Sequence, residues 1–162
     1  MIRNIDDFLK LLSTEKAETL KVFSYMTDES LSETIPGGRS LGRLANHITD
    51  TLDQLPAQAG LPLTPLYIKR TTVKDLMAAY EDGADRLAEA VTENWHDGML
   101  DEEQTMYGQP WKNGFTLWAL LAHQAHHRGQ MTVVMRYAGL KVPGVYGPSK
   151  EEWVAYNMVP QE

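Results

Sequence analysis

The chain has no cysteine among its 162 residues. That absence excludes disulfides, thiolate metal ligands and a cysteine nucleophile together. Any bound metal must be held through nitrogen and oxygen, and any thiol chemistry must use a thiol supplied from outside. Long apolar runs are missing too. No stretch of 18 apolar residues occurs, and the segment Met1 to Asp7 is charged and lacks the apolar core of a signal peptide. A soluble cytoplasmic protein without a membrane partner is therefore expected. Positive charge is also scarce: 15 Lys and Arg stand against 22 Asp and Glu, for a net charge of −7. No run of five like charges appears, which argues against a nucleic-acid partner, because phosphate binding needs clustered Lys and Arg. Internal repeats, low-complexity tracts and linkers are absent as well. With 43% apolar residues, the chain is read as a single domain over 1–162 with a sizeable core.

What the sequence does contain is helical periodicity. From Asp6 to Met26, the residues Phe8, Leu9, Leu12, Leu20, Phe23 and Met26 recur at spacings of three and four, with a charged opposite face. After Pro36-Gly37-Gly38, Ser40 is placed to cap a second helix whose apolar stripe runs from Leu41 through Leu44, Ala45, Ile48 and Leu52 to Leu55 and stops at Pro56. Residues 56–71, with Pro56, Pro62 and Pro65, read as a crossover loop. Thr72 and Asp75 give a capping-box-like start to a third helix burying Leu76, Tyr80, Ala84, Leu87 and Val91. The stretch from Trp95 to Gly114 reads as an irregular loop with room for a short hairpin, in which Trp95, Tyr107 and Trp111 are partly buried packing residues. A fourth helix is expected from Thr116 to Ala138, stopped by Gly139, with Pro143 beyond it. A final short helix, capped by Ser149 with Glu152 three residues on, leads Trp153, Val154 and Tyr156 to the C-terminus. The fold class is all-α: a four-helix bundle with a long crossover loop and a short C-terminal helix, an architecture in which metal sites are built from facing helices.

The fourth helix carries the chemistry. Three of the five histidines fall within His123-Gln124-Ala125-His126-His127. Residues four apart lie one turn above each other, so His123 and His127 project toward a common point while His126 points elsewhere. His123 with His126, at i,i+3, is the alternative pair of poorer geometry. A divalent ion held by imidazoles usually takes a third protein ligand, and His47, at the edge of the second helix's buried stripe, offers one. Three imidazoles leave a position open for water or substrate, the arrangement of a catalytic site. Ligand type does not choose the metal: zinc is the first expectation, with nickel, iron, manganese and copper as alternatives. Helical spacing offers Asp50, three after His47, and Gln130, three after His127, as outer partners for the ligating rings. Arg128 reads as an ion-pairing or helix-stabilising residue, and His96 and His126 as structural or surface residues. No residue is assigned as catalytic.

The run His123 to Gln130, of the form H-x-x-x-H-R-G-Q, is followed by Met135-Arg136, Gly139 and Val142-Pro143. Together with Leu41-Gly42-Arg43-Leu44-Ala45-Asn46-His47-Ile48, it resembles the signature of the DinB-like superfamily. The resemblance implies a DinB-like four-helix bundle with a three-histidine metal site at His47, His123 and His127, usually a homodimer. The apolar residues of the first helix add to the homodimer expectation. The group includes thiol-dependent S-transferases that use bacillithiol or mycothiol. The expected function is therefore a metal-dependent thiol S-transferase whose partners are a small-molecule thiol and an electrophilic substrate. The alternatives are a metal-dependent hydrolase and a non-catalytic metal-binding dimerisation module.

Overall fold

The computed structural model describes residues 2–160. Four helices form the body: α1 (Ile5–Ser24), α2 (Leu41–Gln58), α3 (Val73–Asn94) and α4 (Asn113–Tyr137). Two strands, β1 (Glu103–Met106) and β2 (Gln109–Lys112), pair antiparallel between α3 and α4, with Glu103 opposite Lys112 and Met106 opposite Gln109. Each of α1 and α2 packs against both α3 and α4. The 59–72 connection therefore joins neighbouring helices, while the α1–α2 and α3–α4 connections cross the ends of the bundle.

Local chemistry explains the element boundaries. Asn4 accepts a hydrogen bond from the Asp7 amide, Ser40 from that of Arg43 and Thr72 from that of Asp75. Each cap satisfies an amide that has no partner inside its own helix. The second helix runs through Pro56 to Gln58 rather than stopping at the proline. Pro56 sits in the last turn, where little helix remains for its ring to disturb, and the chain breaks only at Gly60, with φ +91°. Tyr107 (φ 52°) and Gly108 (φ 77°) make the two-residue turn of the β1–β2 hairpin, whose left-handed pair of residues suits the strand twist. The hairpin delivers the chain directly into α4, which begins at Asn113, three residues before the expected Thr116. Gly139 ends α4 at φ +75°, as expected of a glycine stop.

The C-terminal helix is a single 3-10 turn, Trp153–Tyr156. Half of its expected capping forms: the Glu152 carboxylate accepts the amides of Ser149 (3.1 Å) and Gly144 (3.0 Å), while the Ser149 hydroxyl makes no bond among the described residues. Of the three aromatics expected to pack, Trp95 is buried and Trp111 partly so, but Tyr107 is exposed because the hairpin turn carries it into solvent.

The apolar core is filled by side chains of all four helices, among them Phe8, Phe23, Leu44, Ile48, Leu52, Tyr80, Leu87, Leu117 and Leu120. A polar chain crosses it. Arg128 of α4 is paired with Glu15 of α1, and both are buried. The Arg128 guanidinium also donates to Thr19 Oγ1 (2.9 Å) and to the Tyr146 hydroxyl (3.0 Å), and that hydroxyl donates to Glu15. The Tyr80 hydroxyl, 3.1 Å from Thr19 Oγ1, donates to Gln124 Oε1 at 3.1 Å, and Gln124 Nε2 donates to the Ile48 carbonyl at 2.8 Å. The chain fixes the rotation of α4 about its axis, and with it the direction in which His123 and His127 point.

Candidate metal centre

α2 and α4 pack side by side, and their contact brings His47 against His123 and His127. The ring centroids of His47 lie 5.0 Å from His123 and 4.7 Å from His127, and those of His123 and His127 lie 4.4 Å apart. One nitrogen from each ring falls within 4.8 Å of the others. Nε2 of His47 and Nε2 of His123 are 2.9 Å apart, slightly closer than the roughly 3.3 Å that two imidazoles about 2.0–2.1 Å from one tetrahedral ion would show. The three histidines thus form a group that can hold a metal ion. His127 is buried, whereas His47 and His123 are partly exposed, so the cluster opens toward solvent on their side.

The electrostatics favour ligation. Burial, with the neighbouring histidines adding to it, holds the protonated form of His123 down to about 4. His47 is lowered by burial, by His127 and by Arg39 and Arg43. His127 is lowered by burial too, although its hydrogen bond to Gln130 opposes the shift. At neutral pH all three rings are therefore neutral and their lone pairs are available to a cation.

The outer partners divide. Gln130 Oε1 lies 2.7 Å from His127 Nδ1 and accepts its proton, which leaves His127 Nε2 free as a donor to a metal. The other end of the same amide donates to His126 Nε2 at 3.0 Å. Gln130 thus couples an exposed histidine to a buried one. Asp50, expected beside His47, instead holds Arg70 at 2.6 Å. Arg70 enters α2's neighbourhood from the 62–71 segment, and a guanidinium satisfies a carboxylate better than a neutral ring does. His96 and His126 are exposed. The i,i+3 pairing of His123 with His126 is not formed, since the ring that meets His123 is His127. Arg128 is occupied by Glu15.

Two residues at the site escape sequence reasoning. Arg43 lies one turn before His47 on α2, and Arg39 precedes the Ser40 cap. Arg39 acts electrostatically on all three rings. The signal was present as the spacing 39, 43, 47, but arginines on a helix face usually serve solubility.

Comparison with known proteins places this geometry in a family. The profile of the DinB family matches residues 1–161. The uncharacterized protein YrdA of Bacillus subtilis (strain 168) is 37% identical over 169 residues, covering 98% of this chain and 97% of that protein. The crystal structure of a DinB-like protein from Bacillus cereus ATCC 10987 superposes with a TM-score of 0.83 at 39% identity, over 90% of this chain and all of that one. A second DinB-like protein, YjoA of Bacillus subtilis, shares the fold with a TM-score of 0.69 at 19% identity, over 86% of this chain and 96% of that one. The helix order, the histidine cluster between α2 and α4 and the full-length match agree: this chain belongs to the DinB family.

Proposed function

We propose that the protein is a divalent-metal-dependent S-transferase that directs a small-molecule thiol at an electrophilic small molecule, with His47, His123 and His127 as the metal ligands. The observation that carries this reading is the convergence of three neutral imidazoles with an open side facing solvent. When bound there, a divalent ion, zinc by preference, supplies Lewis acidity that lowers the pKa of a thiol at its open position. The residues of the chain do the rest. Gln130 fixes the tautomer of His127, the polar chain through Arg128 fixes the rotation of α4 about its axis, and the absence of cysteine leaves the nucleophile to the cosubstrate. In the transfer, the thiol gives its proton to solvent and its sulfur forms a bond to the electrophilic carbon, and the leaving group departs with the electrons of the broken bond.

The surroundings support a thiol over water as the nucleophile. A metal lowers the pKa of a bound water as it does that of a thiol, and a hydrolase commonly adds a general base within hydrogen-bond reach of that water. Here the nearby carboxylate of Asp50 is engaged by Arg70, and among the described residues no acidic side chain bonds to any of the three rings. A thiol starts from a pKa of about 8.5, far below that of water, and so depends less on such a base. Among the described residues no helix is long and apolar enough to cross a membrane, and the net negative charge suits a small-molecule partner better than a nucleic acid.

The test is consumption of a reactive electrophile by protein purified without a histidine tag. It is run with and without Zn²⁺, and with bacillithiol, mycothiol, glutathione or no thiol. Turnover that requires both metal and thiol is expected, and chelation should remove it. Metal-dependent turnover that is equally fast without thiol would replace the transferase by a hydrolase. No turnover in any arm would leave a metal-binding module.

A further inference from the structure

A cavity of about 640 Å³ lies between the first half of α2, the 3-10 turn Glu29–Ser32 and the end of the 59–72 connection. Its volume falls within the roughly 300–1,000 Å³ of small-molecule sites. None of the three clustered histidines lines it, so it stands apart from the candidate metal centre. Its two long walls are fastened to each other at one end. The Asn46 side-chain amide donates to the Arg70 carbonyl (3.0 Å) and accepts from the Arg70 amide (2.9 Å), as a neighbouring strand would, and the Arg70 guanidinium holds Asp50 at 2.6 Å. Before that staple the connection is untied: among the described residues, 64–69 make no hydrogen bond and no ion pair. The same stretch leaves Leu66, Tyr67 and Ile68 in a row exposed. Large apolar side chains gathered beside a cavity mark a surface that a ligand covers.

The charges on the walls do not cancel. Asp50 is spent on Arg70, and Asp28 accepts the Val73 amide at 2.7 Å, at the start of α3. Arg43 on α2 and Lys69 on the connection remain. Both are exposed, and among the described residues neither side chain takes part in an ion pair or a hydrogen bond. Each wall thus supplies one unpaired cation, in a chain whose net charge is −7. Arg43 also lies in the first turn of α2, where the helix dipole disfavours a cation, so helix stability does not explain it.

We propose that this cavity binds a small organic anion whose carboxylate or phosphate group is held between Arg43 and Lys69 and whose flat apolar body lies against Tyr67 and Ile68. The guanidinium gives an oxyanion two parallel N–H donors, and the ammonium adds a point charge on a stem that adapts to it. Tyr67 offers its ring as a stacking surface. None of these groups needs a metal, so the proposal does not depend on the metal-and-thiol reading above.

The test is calorimetric titration of the full-length protein, zinc-loaded and chelated, with 2-naphthoate, 2-naphthyl phosphate and the neutral 2-naphthol. At least one anion should bind at least tenfold more tightly than 2-naphthol, and which of the two binds better tells carboxylate from phosphate. Chelation should leave that affinity within twofold. The Arg43→Gln/Lys69→Gln variant should lose the tenfold preference while its affinity for 2-naphthol stays within twofold, whereas Tyr67→Ala should weaken anion and naphthol alike. All three side chains are exposed, so both variants should keep their helical circular dichroism. Anion binding that disappears with the metal would belong to the histidines and overturn the proposal. A preference that survives the double variant, an anion affinity untouched by Tyr67→Ala, or no anion binding at millimolar concentration would overturn it equally.

Discussion

Replacing His127 by Ala removes the one buried ring of the cluster and should abolish stoichiometric metal binding, whereas His126→Ala, on an exposed side chain, should leave it intact. Elemental analysis of the two purified variants separates them. Gln130→Ala frees the Nδ1 proton of His127 from its 2.7 Å acceptor, and loss of such an outer partner typically lowers metal affinity about 10–100-fold; competition with a chromogenic chelator measures it. The depressed rings also predict how the metal-free protein responds to acid. In the unfolded chain a histidine protonates near 6.5, while in the folded state His123 resists protonation down to about 4. As pH falls through that window the unfolded state binds protons first, so folding stability is full above the unfolded value and is lost toward the folded one. The melting temperature of chelated wild type should therefore drop between pH 6.5 and 4, and the drop should be smaller in His123→Gln. The histidines were legible in the sequence because i,i+4 spacing is a geometric statement that needs no tertiary knowledge, and Gln130 followed from the same helix. The pairing of Asp50 with Arg70 was not legible, since Arg70 reaches α2 only through the course of the 62–71 segment.

At the scale of elements, α4 is held by contacts that its own periodicity hides. Arg128 lies one residue after a ligand candidate, and its ion-pairing reading holds, but the pair it makes with Glu15 is buried. Arg128→Ala should cost about 3–5 kcal/mol, because it leaves a buried carboxylate without its cation. Lys16→Ala, which breaks an exposed pair with Asp85, should cost at most about 1 kcal/mol. Urea denaturation of both variants checks the contrast, and equal costs would mean that the core pair contributes nothing beyond a surface one. The C-terminal segment depends on a close fit instead: a Cβ on Gly144 would lie 2.3 Å from Oε2 of Glu152 and from the Gly147 carbonyl. Gly144→Ala should break the Glu152 contacts and expose the segment to protease before the helices melt. The four helices were legible from apolar spacing and caps, and so was the glycine stop of α4. The passage of α2 through Pro56 and the idle Ser149 hydroxyl were not, because both depend on what the chain meets beyond the element.

At the scale of the whole molecule, α4 differs from α2 and α3 in leaving large apolar residues exposed. The outer face of this helix presents Phe115, Trp118, Val133 and Tyr137, each at least 45% exposed, with Ala122, His126 and Gly129 between them. Large apolar residues gathered on one face mark an interaction surface. The apolar residues of α1, which first suggested self-association, are mostly spent in the core: Phe8, Leu12, Val22 and Phe23 are all buried. The homodimer we expect therefore places α4 against α4 of a second copy. Small residues midway along the face let the two helices approach closely, and the aromatic residues Phe115 and Trp118, whose rings stack at 5.5 Å, flank that contact. Light scattering at micromolar concentration should give twice the 18.3 kDa chain mass. Trp118→Glu/Val133→Glu, which places charge on both halves of the face, should give the single-chain mass with helicity unchanged. Both substituted side chains lie outside the histidine cluster, so metal stoichiometry per chain should be the same in the monomeric variant as in wild type. A wild type that scatters as one chain would mean that α4 meets some other partner or none, and a variant that loses metal along with its mass would mean that the second copy helps to hold the ligands in place.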